Sequence, residues 1–127
     1  MEDTAQRYAH SDQAWAGLGM AKENSKDFAG AEQAYRKAIQ LAPDRSDYHF
    51  TLGDFLQARQ RYAEAAASFR KALELGPADA TTYFQLGECL QSLCDKAGAA
   101  ESFRKALHYN PDMSAARQRL DTLSGNP

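Results

Sequence analysis

The sequence predicts an all-α solenoid, three helix–turn–helix units stacked in line and closed by a final helix. Three observations carry this reading. First, a period of 34 residues runs through the chain: Leu18, Leu52 and Leu86 fall in step, each followed by glycine at Gly19, Gly53 and Gly87. Second, the same offset relates Ala31, Ala65 and Ala99, then Tyr35, Phe69 and Phe103, then Ala38, Ala72 and Ala106, then Pro43, Pro77 and Pro111. A fixed period of this length marks repeated units that bury their apolar faces against one another. Third, apolar residues within each period recur at i, i+3, i+4 and i+7, the spacing of an amphipathic helix.

Each element follows from this pattern. Residues 1–11 are a lead-in. Thr4 is placed to cap a turn, and Tyr8 lies seven residues before Trp15 on the same helical face, so the first helix is expected from near Thr4 to about Asn24. Trp15, Leu18 and Gly19 form its inner stripe. Asn24 to Asp27 is a turn, and Phe28 opens a second helix with Ala31, Ala34, Tyr35, Ala38 and Ile39 on one face. Leu41-Ala42-Pro43 stops it, because proline lacks the N–H and restricts the residue before it. Asp44 is expected to cap the next helix. Helix 3 is expected at about Ser46 to Ala58, helix 4 at Tyr62 to Leu75, helix 5 at Ala80 to Ser92 and helix 6 at Lys96 to Tyr109. Gly76-Pro77 ends helix 4, and Asn110-Pro111-Asp112 forms a third stop and cap. Ser114 to Leu123 is one more helical stretch, with Ala116, Leu120 and Leu123 on one face and Arg117, Gln118, Arg119 and Asp121 on the others. One apolar and one wet face is what a terminal capping helix requires. The units are about 12–45, 46–79 and 80–113, with a capping helix at about 114–124, in a single domain spanning 1–127.

The small residues have a physical role. A glycine within a helix costs roughly 1 kcal/mol against alanine. Three such costs at one phase imply a compensation, expected here from close approach of Gly19, Gly53 and Gly87 to Ala31, Ala65 and Ala99 on the facing helices.

These residues resemble the tetratricopeptide repeat, whose pattern is W-x2-L-G-x2-Y, A-x3-F, A, then P. Trp15-x2-Leu18-Gly19, Ala31-x3-Tyr35, Ala38 and Pro43 carry it in the first unit. Leu52-Gly53-x2-Leu56, Ala65-x3-Phe69, Ala72 and Pro77 carry it in the second. Tyr83-x2-Leu86-Gly87-x2-Leu90, Ala99-x3-Phe103, Ala106 and Pro111 carry it in the third. The departures are His49 at the tryptophan place of the middle unit, and Lys22 at a usually bulky place in the first, expected to snorkel at an open end. The resemblance implies a right-handed superhelix with a peptide-holding concave groove.

Composition narrows the function. The 127 residues carry a net charge of −2, so no basic field points to nucleic acid or an anionic membrane. No run approaches the roughly 18 apolar residues of a membrane span, and residues 1–10 lack the apolar core of a signal peptide. Cys89 and Cys94 lie five residues apart, about 140° round a helix, so a disulfide is disfavoured and a reducing, cytoplasmic setting is expected. The two cysteines lack metal-site spacing. His10, His49 and His108 form no catalytic set, with His49 expected as a core or edge histidine held by a hydrogen bond, and no phosphate loop or nucleophile elbow is present. The expected protein is non-enzymatic, without cofactor or metal. The Arg36-Lys37, Arg70-Lys71 and Arg104-Lys105 pairs read as a solvated outer face.

Function is therefore sought in the groove. With His49 at zero and 100° per residue, Leu52, Gly53 and Leu56 cluster within about 60° as the packed side of helix 3. Asp47, Phe50, Thr51, Asp54 and Ala58 lie roughly 100–200° round. The same phase gives Gln13, Ala16, Gly17, Met20 and Asn24 on helix 1, and Thr81, Phe84, Gln85, Glu88 and Ser92 on helix 5. The three sets are expected to line one concave surface, mixed apolar and acidic. Phe50 and Phe84 are either packed between neighbouring helices or displayed to a ligand. The expected partner is a protein or peptide with apolar anchors near them and a basic residue at Asp54 or Glu88. Relatives that grip the acidic tails of Hsp70 and Hsp90 use Lys, Asn and Arg. The matching places here are Ala16, Met20, Thr51, Thr81 and Gln85, none cationic, so such tails are not expected to bind. The leading expectation is an adaptor or scaffold, monomeric or weakly self-associating. An accessory domain of a larger enzyme, an assembly or secretion chaperone for one client, and a self-associating structural module are the alternatives.

Overall fold

The computed structural model describes residues 11–125. Among them run seven helices and no strand: α1 (Asp12–Asn24), α2 (Phe28–Leu41), α3 (Ser46–Ala58), α4 (Tyr62–Leu75), α5 (Ala80–Ser92), α6 (Lys96–Tyr109) and α7 (Ser114–Leu123). Three hairpins, α1–α2, α3–α4 and α5–α6, stack in order, and α7 closes on α6. No helix among the described residues is long and apolar enough to cross a membrane.

The chain turns by one device used three times. Lys26, Gln60 and Cys94, 34 residues apart, take positive φ of 67°, 63° and 66°. The next amide reaches back five residues: Asp27 N–H donates to the Lys22 carbonyl at 2.8 Å, Arg61 to Leu56 at 2.9 Å and Asp95 to Leu90 at 2.9 Å. This closes the last carbonyls of α1, α3 and α5 in a left-handed cap. The residue that closes each turn is also the N-cap of the next helix.

Side-chain caps are less regular. Ser11, Asp27, Asp79 and Asp95 each accept an amide of the first turn, at 3.1, 3.1, 2.7 and 2.9 Å. Asp44 does not cap α3, contrary to expectation. It lies one residue early, and Arg45 occupies the N-cap with no side-chain bond to the helix. Asp112 fails likewise, because Met113 holds the N-cap of α7. The helix of Trp15 begins at Asp12 on an extended Ser11, not near Thr4. Thr4 and Tyr8 lie outside the described residues.

The core is an aromatic ladder. The rings of Tyr35, Phe69 and Phe103 lie flush on Gly19, Gly53 and Gly87 of the partner helix. A Cβ on those glycines would stand 2.6, 2.8 and 2.6 Å from the ring carbons. The compensation for helical glycine is thus a seat for a ring, while Ala31, Ala65 and Ala99, all fully buried, fill the space beside it. Burying one such ring contributes about 1.5–3 kcal/mol, more than the ~1 kcal/mol that the glycine costs. Phe55 crosses the first junction, 6.4 Å from Phe28 and 5.7 Å from Tyr35. Ala116 is buried, and Leu120 and Leu123 pack on the same core, so α7 covers the exposed end of the third unit.

The junction between the first two units is also charged. Arg61 donates to Glu32 at 2.6 Å and to Glu64 at 2.8 Å, and Arg36 reaches Glu32 at 2.9 Å and Glu64 at 3.3 Å. Four charges thus close a ring between α2 and α4. A second cluster joins Asp12 to Tyr48 at 2.6 Å and to Arg45 at 3.1 Å. Lys22 is part-exposed, and its ammonium pairs with the exposed Asp27 at 3.8 Å.

Candidate peptide-binding groove

The α3 and α5 faces expected to be concave lie side by side and are joined by side chains. Gln85 Nε2 donates to Asp54 Oδ1 at 2.9 Å and to Gln57 Oε1 at 3.0 Å. Gln57 Nε2 donates to Glu88 Oε1 at 3.2 Å. Arg119 of α7 then donates to Glu88 Oε2 at 2.9 Å and to Gln91 Oε1 at 3.0 Å. One polar chain thus crosses α3, α5 and α7.

The two groove phenylalanines are half-buried. Phe50 rests on Phe69 at 5.6 Å and Phe84 on Phe103 at 5.5 Å, each seated on its own unit's core ring. Phe50 also lines a cavity of about 260 Å³ between the N-terminal ends of α3 and α5, with Ser46, Asp47, Pro77, Asp79 and Thr81 around it. Packing and display are therefore two sides of the same ring.

The expected acidity is mostly neutralised. Asp47 is held by Arg45 at 2.7 Å and Glu88 by Arg119 at 2.9 Å. Of these three carboxylates, Asp54 alone has no cation partner among the described residues. Glu88 is thus already paired with a cation, and Asp54 is not. Thr51 spends its hydroxyl on the Asp47 carbonyl at 2.9 Å, and Thr81 is exposed. On α1, Gln13, Met20 and Asn24 are exposed and no hydrogen bond ties them to α3; Met20 shows 53% of its surface. Beside them, Glu23 accepts the Tyr35 hydroxyl at 2.7 Å. Burial and then this carboxylate push the Tyr35 hydroxyl pKa well above its ordinary value.

Sequence reasoning missed Gln57, Gln91 and Arg119. Both glutamines stand about 80° from the reference phase, just outside the sector used. Arg119 lies 34 residues after Gln85 and 68 after Thr51. Carrying the period one step further would have found it, since α7 continues the register as the first helix of another unit.

The outer basic residues Lys71 and Lys105 pair with Glu74 and Glu101 at 3.5 and 3.3 Å. His49 Nε2 meets the Pro43 carbonyl at 3.1 Å at the core edge. Cys89 and Cys94 are unpaired, the first buried on α5 and the second exposed in the turn that follows. No group of three or more His, Cys, Asp or Glu that could hold a metal ion occurs among the described residues.

A sequence model described as tetratricopeptide repeat matches residues 1–46, 17–81 and 44–114. The chain belongs to the tetratricopeptide repeat family. It is accordingly a right-handed α-solenoid and, as a member of that family, a protein-interaction module in general terms. No curated protein matches it by sequence. Among solved structures it is similar to MamA, with TM-score 0.86 at 23% identity, covering 90% of this chain and 62% of that one. It is similar to the first such domain of Spaghetti (RPAP3), bound to the HSP90 peptide SRMEEVD, with TM-score 0.82 at 15% identity over 92% of this chain and 93% of that one. The Yersinia enterocolitica secretion chaperone SycD, in complex with a peptide of the translocator YopD, gives 0.80 at 17% identity over 88% and 91%. At these identities the likeness shows the fold alone.

Proposed function

We propose that the protein is an adaptor that holds an extended or helical peptide of a partner protein in its concave groove. The observation that carries this is the pair Phe50 and Phe84, each seated on a buried ring and half open, beside Asp54, a carboxylate with no cation partner among the described residues. A rigid, half-exposed ring is a low-entropy anchor, and an adjacent unneutralised carboxylate orients a basic side chain. Peptide complexes of SycD and RPAP3 show that this backbone accommodates peptides in those proteins. Two unpaired cysteines suit the reducing, cytoplasmic setting that this proposal includes.

The acidic tails of chaperones are not its ligand under this reading. Ala16, Met20, Thr51, Thr81 and Gln85 carry no positive charge, and Arg119 is engaged by Glu88. The test is to pan a random-peptide library on the wild-type protein and measure the selected peptide against Phe84→Ala and Asp54→Lys. Each variant is expected to weaken it by roughly tenfold or more, as for a central anchor, with the helical circular-dichroism signal unchanged. Unaltered affinity in both places the binding site elsewhere. The SRMEEVD peptide serves as the contrasting arm, and a saturable micromolar complex with it would overturn the exclusion.

A further inference from the structure

The groove does not end with the third unit. Arg119 comes from the capping helix α7 in the register of Gln85, and its guanidinium lies 5.8 Å over the Phe84 ring. It donates to Glu88 Oε2 at 2.9 Å and to Gln91 Oε1 at 3.0 Å, while Gln57 donates to the other Glu88 oxygen at 3.2 Å. Both oxygens of Glu88 are occupied and its charge is neutralised. Asp54, one helix away, accepts only from the neutral amide of Gln85 and is exposed. The two carboxylates have the same phase on α3 and α5, yet one is free to take a cation and the other is not.

We propose that Arg119 is a specificity-determining residue of the groove, restricting the partner segment to a single cation at Asp54 and an apolar side chain beside Phe84. This rests on the groove reading above. A partner lysine or arginine at Glu88 would have to displace a charge-assisted hydrogen bond and stand within a few ångströms of a second cation. An apolar side chain meets no such barrier, and it gains the Phe84 face together with the aliphatic stem of Arg119. Specificity here comes from a repulsive element as much as from an attractive one.

The test pans one random-peptide library on the wild type, Arg119→Gln, Arg119→Lys and the double variant Glu88→Gln/Arg119→Gln. Wild type and Arg119→Lys are expected to select one basic position near an apolar one. Arg119→Gln is expected to select a second basic position, and the double variant to lose it again. A synthetic dibasic peptide is expected to bind Arg119→Gln roughly tenfold tighter than wild type, while its monobasic parent binds both alike. Identical basic positions on wild type and Arg119→Gln would overturn the proposal. Peptides that depend on Phe84 but ignore Arg119 sink this inference alone; peptides that ignore Phe84 as well sink the groove reading and this inference with it. Melting curves of each variant check that α7, held by Ala116, Leu120 and Leu123, stays docked.

Discussion

At Gly53 one added methyl group would collide with Phe69. Its Cβ would stand 2.8 Å from the ring, and that ring is fully buried with Phe50 against it at 5.6 Å, so it has nowhere to retreat. Gly53→Ala gains about 1 kcal/mol of helix propensity and loses more to overpacking, for a net loss of about 1–2 kcal/mol. Gly17→Ala is the control. Nothing lies within 4 Å of its Cβ, so it is expected to stabilise by about 0.5–1 kcal/mol. Opposite shifts of the two melting temperatures check the pair. The recurrence of Gly19, Gly53 and Gly87 was legible as a compensated cost. What presses on them was not, because Ala65 and Phe69 share a phase, and only coordinates tell which one touches the glycine.

Helix boundaries were the most legible feature at the level of elements. From α2 to α7 the apolar period and the proline stops placed both ends where the structure has them. Caps were less so, since they turn on a single residue. The aspartate before α3 comes one place too soon, while Asp79 before α5 is in register and holds the Thr82 amide at 2.7 Å and its hydroxyl at 3.0 and 2.9 Å. Asp79→Ala is expected to cost about 1 kcal/mol, and Asp44→Ala to fall within about 0.5 kcal/mol of zero. Urea denaturation of both variants distinguishes them. Arg45, displaced into the cap position before α3, serves the junction instead through Asp12 and Asp47.

Across the whole array the two inter-unit junctions differ chemically. The Glu32–Arg61–Glu64–Arg36 ring bridges the first and second units. Its offset counterparts at the second junction are Ala66, Asp95, Gly98 and Arg70, which form no such ring. Hydrogen bonds from Arg61 hold both Glu32 and Glu64 below their ordinary carboxylate pKa of 4.5. A folded pKa below the unfolded one means that the unfolded chain binds more protons in this window. The stabilisation is therefore complete above the ordinary value and is lost as pH falls through the folded value. The melting temperature is expected to decline between about pH 5 and pH 2, and Glu32→Gln to flatten that decline. An unchanged slope would count against the ring. No sequence pattern announced it, because its members come from two units and only the stacking brings them together. The same holds beside Asp54, Phe50 and Phe84, which phase sets on one side of α3 and α5: the neutralisation of Glu88 comes from a helix read only as a cover.

The two thiols, five residues apart, live in different chemical worlds. Burial pushes the Cys89 thiol up to about 12, leaving almost no thiolate at neutral pH, while Cys94 stands in the open on its turn. A maleimide fluorophore is expected to add once, at Cys94, with intact-mass spectrometry showing a single adduct. The folded protein thus carries a built-in attachment point for a single reporter dye. A second adduct would report that α5 has come away from its neighbours.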